Sequence, residues 1–243
     1  MSLNTTNLFA QRQSLLNGWH DAHQAQYVPG VRGLVVSHYA GQQPEQPLAV
    51  SLCDLSVFAD YASVISDEAA ATIKALGLPV PQQVNTGESV SELCAVFKLT
   101  DNEYWQLDLT GNSEKSAFTD TPLYQFPLNE HYACLGLYGA QAQQVLAKIC
   151  AVDISAAACK NLEVIRTSIE QVITTIIRFD LNNETGFLLL PEVSSVEFIW
   201  QILLDAMYEF NGATVGASHL FKNIKLGHTT QINNSSTKTI KNS

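Results

Sequence analysis

Catalysis needs nucleophiles, bases or metal ligands within reach of one another, and this chain offers few such sets. Its six histidines are His20, His23, His38, His131, His219 and His228. His20 and His23, three apart, can share a helix face, but no third ligand stands near them. A solvated face is the plainer reading than a metal site. The five cysteines (Cys53, Cys94, Cys134, Cys150 and Cys159) are odd in number and scattered, with no CxxC. They read as buried free thiols of a reducing compartment. Ser218 and His219 are neighbours in sequence, which is not the geometry of a triad. GxGxxG, Walker, GxSxG and HExxH patterns are absent. Asp67–Glu68 and Asp101 with Glu103 are close enough for acid–base work. The first pair sits where a helix start wants acids, and the second lies in a turn. Of only four arginines, Arg166 and Arg178 stand out. A guanidinium at Arg166 could hold a carboxylate or phosphate with its planar fork, but pairing with an acid in the fold or at an interface is favoured. No residue is assigned to catalysis, cofactor binding or metal binding.

The chain of 243 residues is long enough for a substantial core. Charged residues make up only 15%, below the usual quarter. Thirteen Lys and Arg stand against 23 Asp and Glu, a net charge of -10, which argues against binding nucleic acid by phosphate neutralisation. Residues 211–243 hold Lys222, Lys225, Lys238 and Lys241 and no acid, so residues 1–210 set nine cations against all 23 acids. No apolar run approaches the roughly 18 residues of a membrane span. The N-terminus lacks a basic region followed by an apolar one, so a cytoplasmic location without a membrane is expected.

The elements that must position any site are expected mainly between residues 46 and 210. Residues 1–45 read as a peripheral N-terminal extension, with a short amphipathic helix carrying Leu8, Leu15, Leu16 and Trp19. In the body, strands are expected at residues 49–56, 61–65, 94–99 and 104–109, with a helix over 69–75 stopped by Gly77. A second series follows: a strand at 132–137, a helix over 139–149, strands at 172–179 and 186–190, and a helix over 196–210. The last helix shows an apolar stripe of Phe198, Ile199, Ile202, Leu203, Ala206, Met207 and Phe210. Strand–helix–strand–strand thus occurs twice, in pseudo-repeats of about 48–125 and 126–210. The fold class expected is α+β: two ferredoxin-like split βαβ repeats forming a mostly antiparallel sheet with helices packed on one face. Residues 211–243 read as a polar, disordered tail.

Ordered short motifs run through this body. They begin with Asp54-Leu55-Ser56, then Lys74-Ala75-Leu76-Gly77-Leu78-Pro79 and Asn85, then Leu99-Thr100-Asp101-Asn102-Glu103-Tyr104-Trp105. Cys134-Leu135-Gly136-Leu137-Tyr138-Gly139, Asp153-Ile154-Ser155, Arg166-Thr167 and Phe198-Ile199-Trp200 complete the series. Their order and gaps over residues 48–210 resemble the gamma subunit of heterotetrameric sarcosine oxidase. That subunit sits within the superfamily of the glycine-cleavage T-protein and related folate-binding domains. The resemblance implies a T-protein-like fold and a non-catalytic accessory subunit. The complex would oxidatively demethylate sarcosine to glycine, yielding hydrogen peroxide and a one-carbon tetrahydrofolate product. It further implies alpha, beta and delta subunits as partners, which would carry FAD, FMN, NAD and tetrahydrofolate, with none held by this chain. Arg166 and Trp200 are the positions expected to contact other subunits. The K-G-C-[YF]-x-G-Q loop of stand-alone folate-binding relatives is absent, as is a Gly-Gly-x-x-Asp-[DE] segment. The alternative is a stand-alone folate-binding or aminomethyltransferase-like protein, with Tyr104, Trp105 and Tyr138 as a possible aromatic platform.

Overall fold

The computed structural model describes residues 12–42, 48–111, 118, 123 and 125–221. In order, the elements are α1 (Asn17–Ala22), β1 (Ala25–Pro29), β2 (Leu34–Tyr39), β3 (Ser51–Asp54), β4 (Asp60–Ile65), α2 (Ala69–Ala75), β5 (Thr86–Ser91), β6 (Cys94–Lys98) and β7 (Glu103–Asp108). Then come β8 (Gln125–Pro127), β9 (Leu135–Tyr138), α3 (Ala142–Ile149), β10 (Val164–Ile169), β11 (Val172–Arg178), β12 (Gly186–Pro191), α4 (Val196–Tyr208), β13 (Ala213–Val215) and α5 (Ala217–Leu220).

The expected α+β class is observed, and the strands divide between two main sheets. One has five strands in the order β5-β6-β7-β4-β8, and the other has six in the order β10-β11-β12-β9-β3-β13. Every pairing is antiparallel except β13 with β3. The period of two along each strand feeds two cores at once. In β6, Ala95 and Phe97 enter the core between the sheets, while Val96 joins Val64, Ile73 and Tyr104 beneath α2. In β12, Leu188 and Leu190 face the other sheet, while Phe187 and Leu189 pack under α3 and α4. The layers are therefore helix, sheet, sheet, helices. Two sheets form where a single sheet was expected, with α2 on the outer face of the five-stranded sheet and α3 and α4 on that of the six-stranded one.

Local chemistry explains the elements. Gly77 takes a positive φ of 75° and closes α2, with Leu78 N donating to Ile73 O at 3.2 Å. In α4, Val196, Ile199, Trp200, Leu203, Ala206 and Met207 are buried at helical spacing, whereas Phe198 is 47% exposed and lies outside the stripe. At one edge the sheets are stitched together. Gly87 N donates to Leu162 O at 2.7 Å, and Val164 N donates to Asn85 O at 2.9 Å. A Cβ at Gly87 would lie 2.5 Å from the Phe97 ring, so only glycine allows this approach.

Both chain ends differ from expectation. The described part of residues 1–45 is integrated into the body: Leu16, His20, Val35, Val36 and Tyr39 are buried. Likewise, residues 213–215 form a strand beside β3, and Leu220 and Phe221 are buried. The rest of the expected tail, residues 222–243, lies outside the described residues, as do residues 7–11 of the helix expected over 7–19, of which only the end from Asn17 is helical among the described residues.

Asp54 anchors the N-terminal segment. It ends β3 just where the chain crosses to the five-stranded sheet. The ring of His20 donates from Nε2 to Asp54 Oδ2 at 3.0 Å, and its Nδ1 shares a 2.9 Å hydrogen bond with the Tyr39 hydroxyl. Ser14 Oγ also donates to Asp54 Oδ2, and Ser56 N donates to Oδ1 at 2.9 Å. A second anchor is buried Asn129. Its Nδ2 donates to Ala59 O at 2.9 Å, its side-chain oxygen accepts from Tyr61 N at 3.2 Å, and Arg32 and Arg12 both bond to it. Arg32 also pairs with Asp60. Burial alone would raise the Asp54 carboxyl. The hydrogen bond and charge of His20, with the bonds from Ser14 and Ser56, instead hold it below the ordinary carboxylate range.

Asp54→Ala leaves the donors of His20, Ser14 and Ser56 in a dry site. It is expected to lower the unfolding free energy by about 3 kcal/mol in urea titrations. Because the folded carboxyl value is depressed, its stabilisation is fully present above about pH 4 and is lost as pH falls through the lowered folded value. Acid unfolding followed by circular dichroism should therefore be steeper below about pH 4 for the wild type than for Asp54→Asn.

Candidate functional site

The cleft with the most chemistry is an extension of the core between the sheets. On β4, Tyr61, Ser63 and Ile65 share one face, opposite Leu107, Trp105 and Glu103 of β7. On β10 and β11, Arg166 stands opposite Thr175, and Ser168 opposite Ile173. Toward Tyr61, Leu107 and Ile177 these inner faces are packed and dry. Toward Ile65, Glu103 and Ile173 the faces splay apart, so inward positions become accessible. The opening is about 630 Å³ and is completed by Phe126, Leu128, Glu130, His131, Tyr132 and Glu192–Ser194. Apolar side chains stand at its rim: Ile173 is 77% exposed, Ile65 46% and Phe126 38%.

Its floor is a stacked polar set. Trp105 Nε1 donates to Glu103 Oε1 at 2.7 Å. The Arg166 guanidinium lies over the Trp105 ring, 5.4 Å from its centroid, and its Nη2 donates to the same Glu103 oxygen at 3.4 Å. Trp105 and Tyr132 are tilted neighbours, with centroids 5.8 Å apart. Glu130, at the mouth, pairs with Arg12 at 3.6 Å. In this cleft no hydroxyl or thiol is hydrogen-bonded to a histidine among the described residues; what it presents is an arginine over an aromatic face with carboxylates beside it. Elsewhere, Ser14, Asp54 and His20 bring together the residue types of a triad, but the order is wrong. Serine and histidine both bond to the carboxylate, so the imidazole is not placed to take the serine proton. Among the described residues, no group of three His, Cys, Asp or Glu is placed to hold a metal ion, and no helix is long and apolar enough to cross a membrane.

Arg166 is in the cleft wall, paired with an acid as expected. Trp200 is a correction: it is 0% exposed, inside the core beneath α1, and its indole meets Trp19 edge-on at 5.1 Å. In this conformation it is covered by its own chain and offers no surface to a partner. Of the aromatic candidates, Trp105 lines the cleft, Tyr104 faces the opposite core, and Tyr138 is buried with its hydroxyl lacking a partner among the described residues. His23 stacks on Trp19 at 3.8 Å, while His20 serves Asp54. All five cysteines are free and buried; burial pushes the Cys94 and Cys159 thiols up to about 11. Sequence reasoning set Glu103 aside as a turn residue and passed over Phe126, Ile173 and Glu192. The period of two that puts Glu103 beside Trp105 was the available signal for the first of these.

No protein-family model matches the sequence, and no curated protein does. Solved structures do match. A chain of heterotetrameric sarcosine oxidase from Corynebacterium sp. U-96, solved in complex with pyrrole 2-carboxylate, superposes with TM-score 0.59 at 24% identity. The match covers 82% of this chain and 96% of that one. Glycine cleavage system aminomethyltransferase T from Bartonella henselae superposes with TM-score 0.67 at 15% identity, covering 85% of this chain and 60% of that one. The fold is thus T-protein-like.

Arg166→Ala is expected to cost less than about 1 kcal/mol, because the side chain is 44% exposed and its ion pair is screened. Trp105→Ala, at a 3% exposed position, is expected to cost about 3–5 kcal/mol. Urea titrations of the two variants check the contrast.

Proposed function

We propose that this chain is a non-catalytic subunit of a heterotetrameric amine oxidase of the sarcosine type. The observation that carries the reading is one of extent. The match takes in 96% of the sarcosine oxidase chain but only 60% of the aminomethyltransferase, so this chain has the dimensions of the former. The cleft joins an arginine, an aromatic face and carboxylates, groups suited to contacts with another chain. In this reading alpha, beta and delta chains are the partners and hold FAD, FMN, NAD and tetrahydrofolate. The whole complex demethylates sarcosine to glycine, and this chain supplies surface. The complex is placed in the cytoplasm.

A second reading, a stand-alone folate-binding protein, draws on the size of the cleft. About 630 Å³ beside Trp105 and Tyr132 would admit a heteroaromatic ring.

Co-expression with candidate alpha, beta and delta chains, followed by size exclusion with light scattering, separates the readings. The expected result is co-elution in a yellow complex that consumes sarcosine, with no fluorescence change when a reduced folate is titrated into the isolated chain. A lone monomer that quenches on folate addition would overturn the subunit reading.

A further inference from the structure

We propose that the cleft between the two sheets seats an extended segment of a partner subunit in which lysine or arginine alternates with apolar residues. The inference deepens the subunit reading and rests on it for the source of the segment.

Three observations converge. The first is charge. Glu103, Glu130 and Glu192 line the cleft with Arg166 and His131; Glu103 pairs with Arg166 and Glu130 with Arg12, while the side chain of Glu192 has no partner among the described residues. A surface of this sign selects a cationic occupant and repels an acidic one. The second is that the cleft already holds a cation. Arg166 lies over the Trp105 ring and against Glu103, the contacts an incoming basic side chain makes with an aromatic face and a carboxylate. The chain's own arginine makes the contacts an incoming cation would make, while Glu192 offers an unpaired carboxylate further along the mouth. The third is the rim. Ile65, Phe126 and Ile173 are inward positions on their strands that the splay leaves in water. An extended peptide projects successive side chains to opposite sides, so apolar residues can cover this rim while basic ones reach the acids.

The test uses the full chain and two fluorescein-labelled hexapeptides, one alternating isoleucine with lysine and one alternating isoleucine with glutamate. Fluorescence anisotropy should show binding of the lysine peptide only, weakened by added salt. Glu192→Lys and Ile173→Ser alter exposed side chains, so each should leave the thermal melt in place while lowering affinity about tenfold. Glu184→Lys, an exposed acid in the β11–β12 turn, should leave binding unchanged. Equal binding of both peptides, no binding of either, or equal loss with Glu184→Lys would overturn the docking site. In the co-expression assay, the double variant Glu192→Lys, Ile173→Ser should fail to co-elute where the wild type succeeds. Co-elution of the double variant would overturn the docking site and leave the subunit reading standing. Failure of the wild type itself to co-elute, with peptide binding intact, would count against the subunit reading instead.

Discussion

Everything in this molecule depends on two sheets packed face to face while each also carries helices on its other face. A strand in that position has no solvent side. All six residues of β12 are buried, as are all four of β9. The requirement explains the low charged fraction, because much of the chain must be apolar on both sides. It also explains where the cleft is. Twisted sheets cannot stay in contact along their whole length. Where the inner faces part, the period that builds the core continues and delivers Ile65, Trp105 and Ile173 to an opening. The cleft is the same face with its partner removed.

The crossing between the sheets concentrates the polar chemistry. β3 belongs by sequence to the first half but pairs with β9 and β13 in the second half's sheet. The chain must then turn from Asp54 to reach β4. Leu55 N donates to Cys134 O at 2.8 Å, and Cys134 N donates to Ser56 Oγ at 3.1 Å, so the turn is fastened to the second sheet. The Asp54 carboxylate then collects Ser14 and His20, which bind the N-terminal segment over the seam. A buried carboxylate without such donors would be neutral or destabilising. Here the donors are supplied by the segment being held, so the segment and the turn stabilise one another.

Much of this was legible in the sequence because strong local signals and tertiary demands agree. Helix α2 lies at residues 69–75 and is stopped by Gly77 as expected, and β6, β7, β11, β12 and α4 fall within two residues of expectation. Strand β5 was not legible: four of its six residues are exposed, and it is held by backbone bonds to β6 and to Leu162. The ribbon β1–β2 was missed for a related reason. Its anchors, His20 to Asp54 and Arg32 to Asp60, are polar contacts across long stretches of chain, and composition does not reveal which polar residues will meet. Trp200 failed as a surface candidate because an aromatic residue on an apolar stripe is a core residue unless something opens the core. Glu103 was misread in the opposite direction, since a turn acid and a cleft acid look alike until the register places it beside Trp105.

The energetic character of the cleft suits the docking proposed for it. The Arg166 side chain is 44% exposed, so its contacts with Trp105 and Glu103 are each worth about 1 kcal/mol or less. A set so weakly held can be re-formed around an incoming side chain at little cost. Burial raises the Tyr61 and Tyr138 hydroxyls and the Cys53 thiol, which lie in the packed interior. What remains accessible is an apolar rim with unequal charge, on a scaffold whose interior is complete without it. Such a surface gains most from being covered by another chain, which is the physical content of the subunit role proposed above.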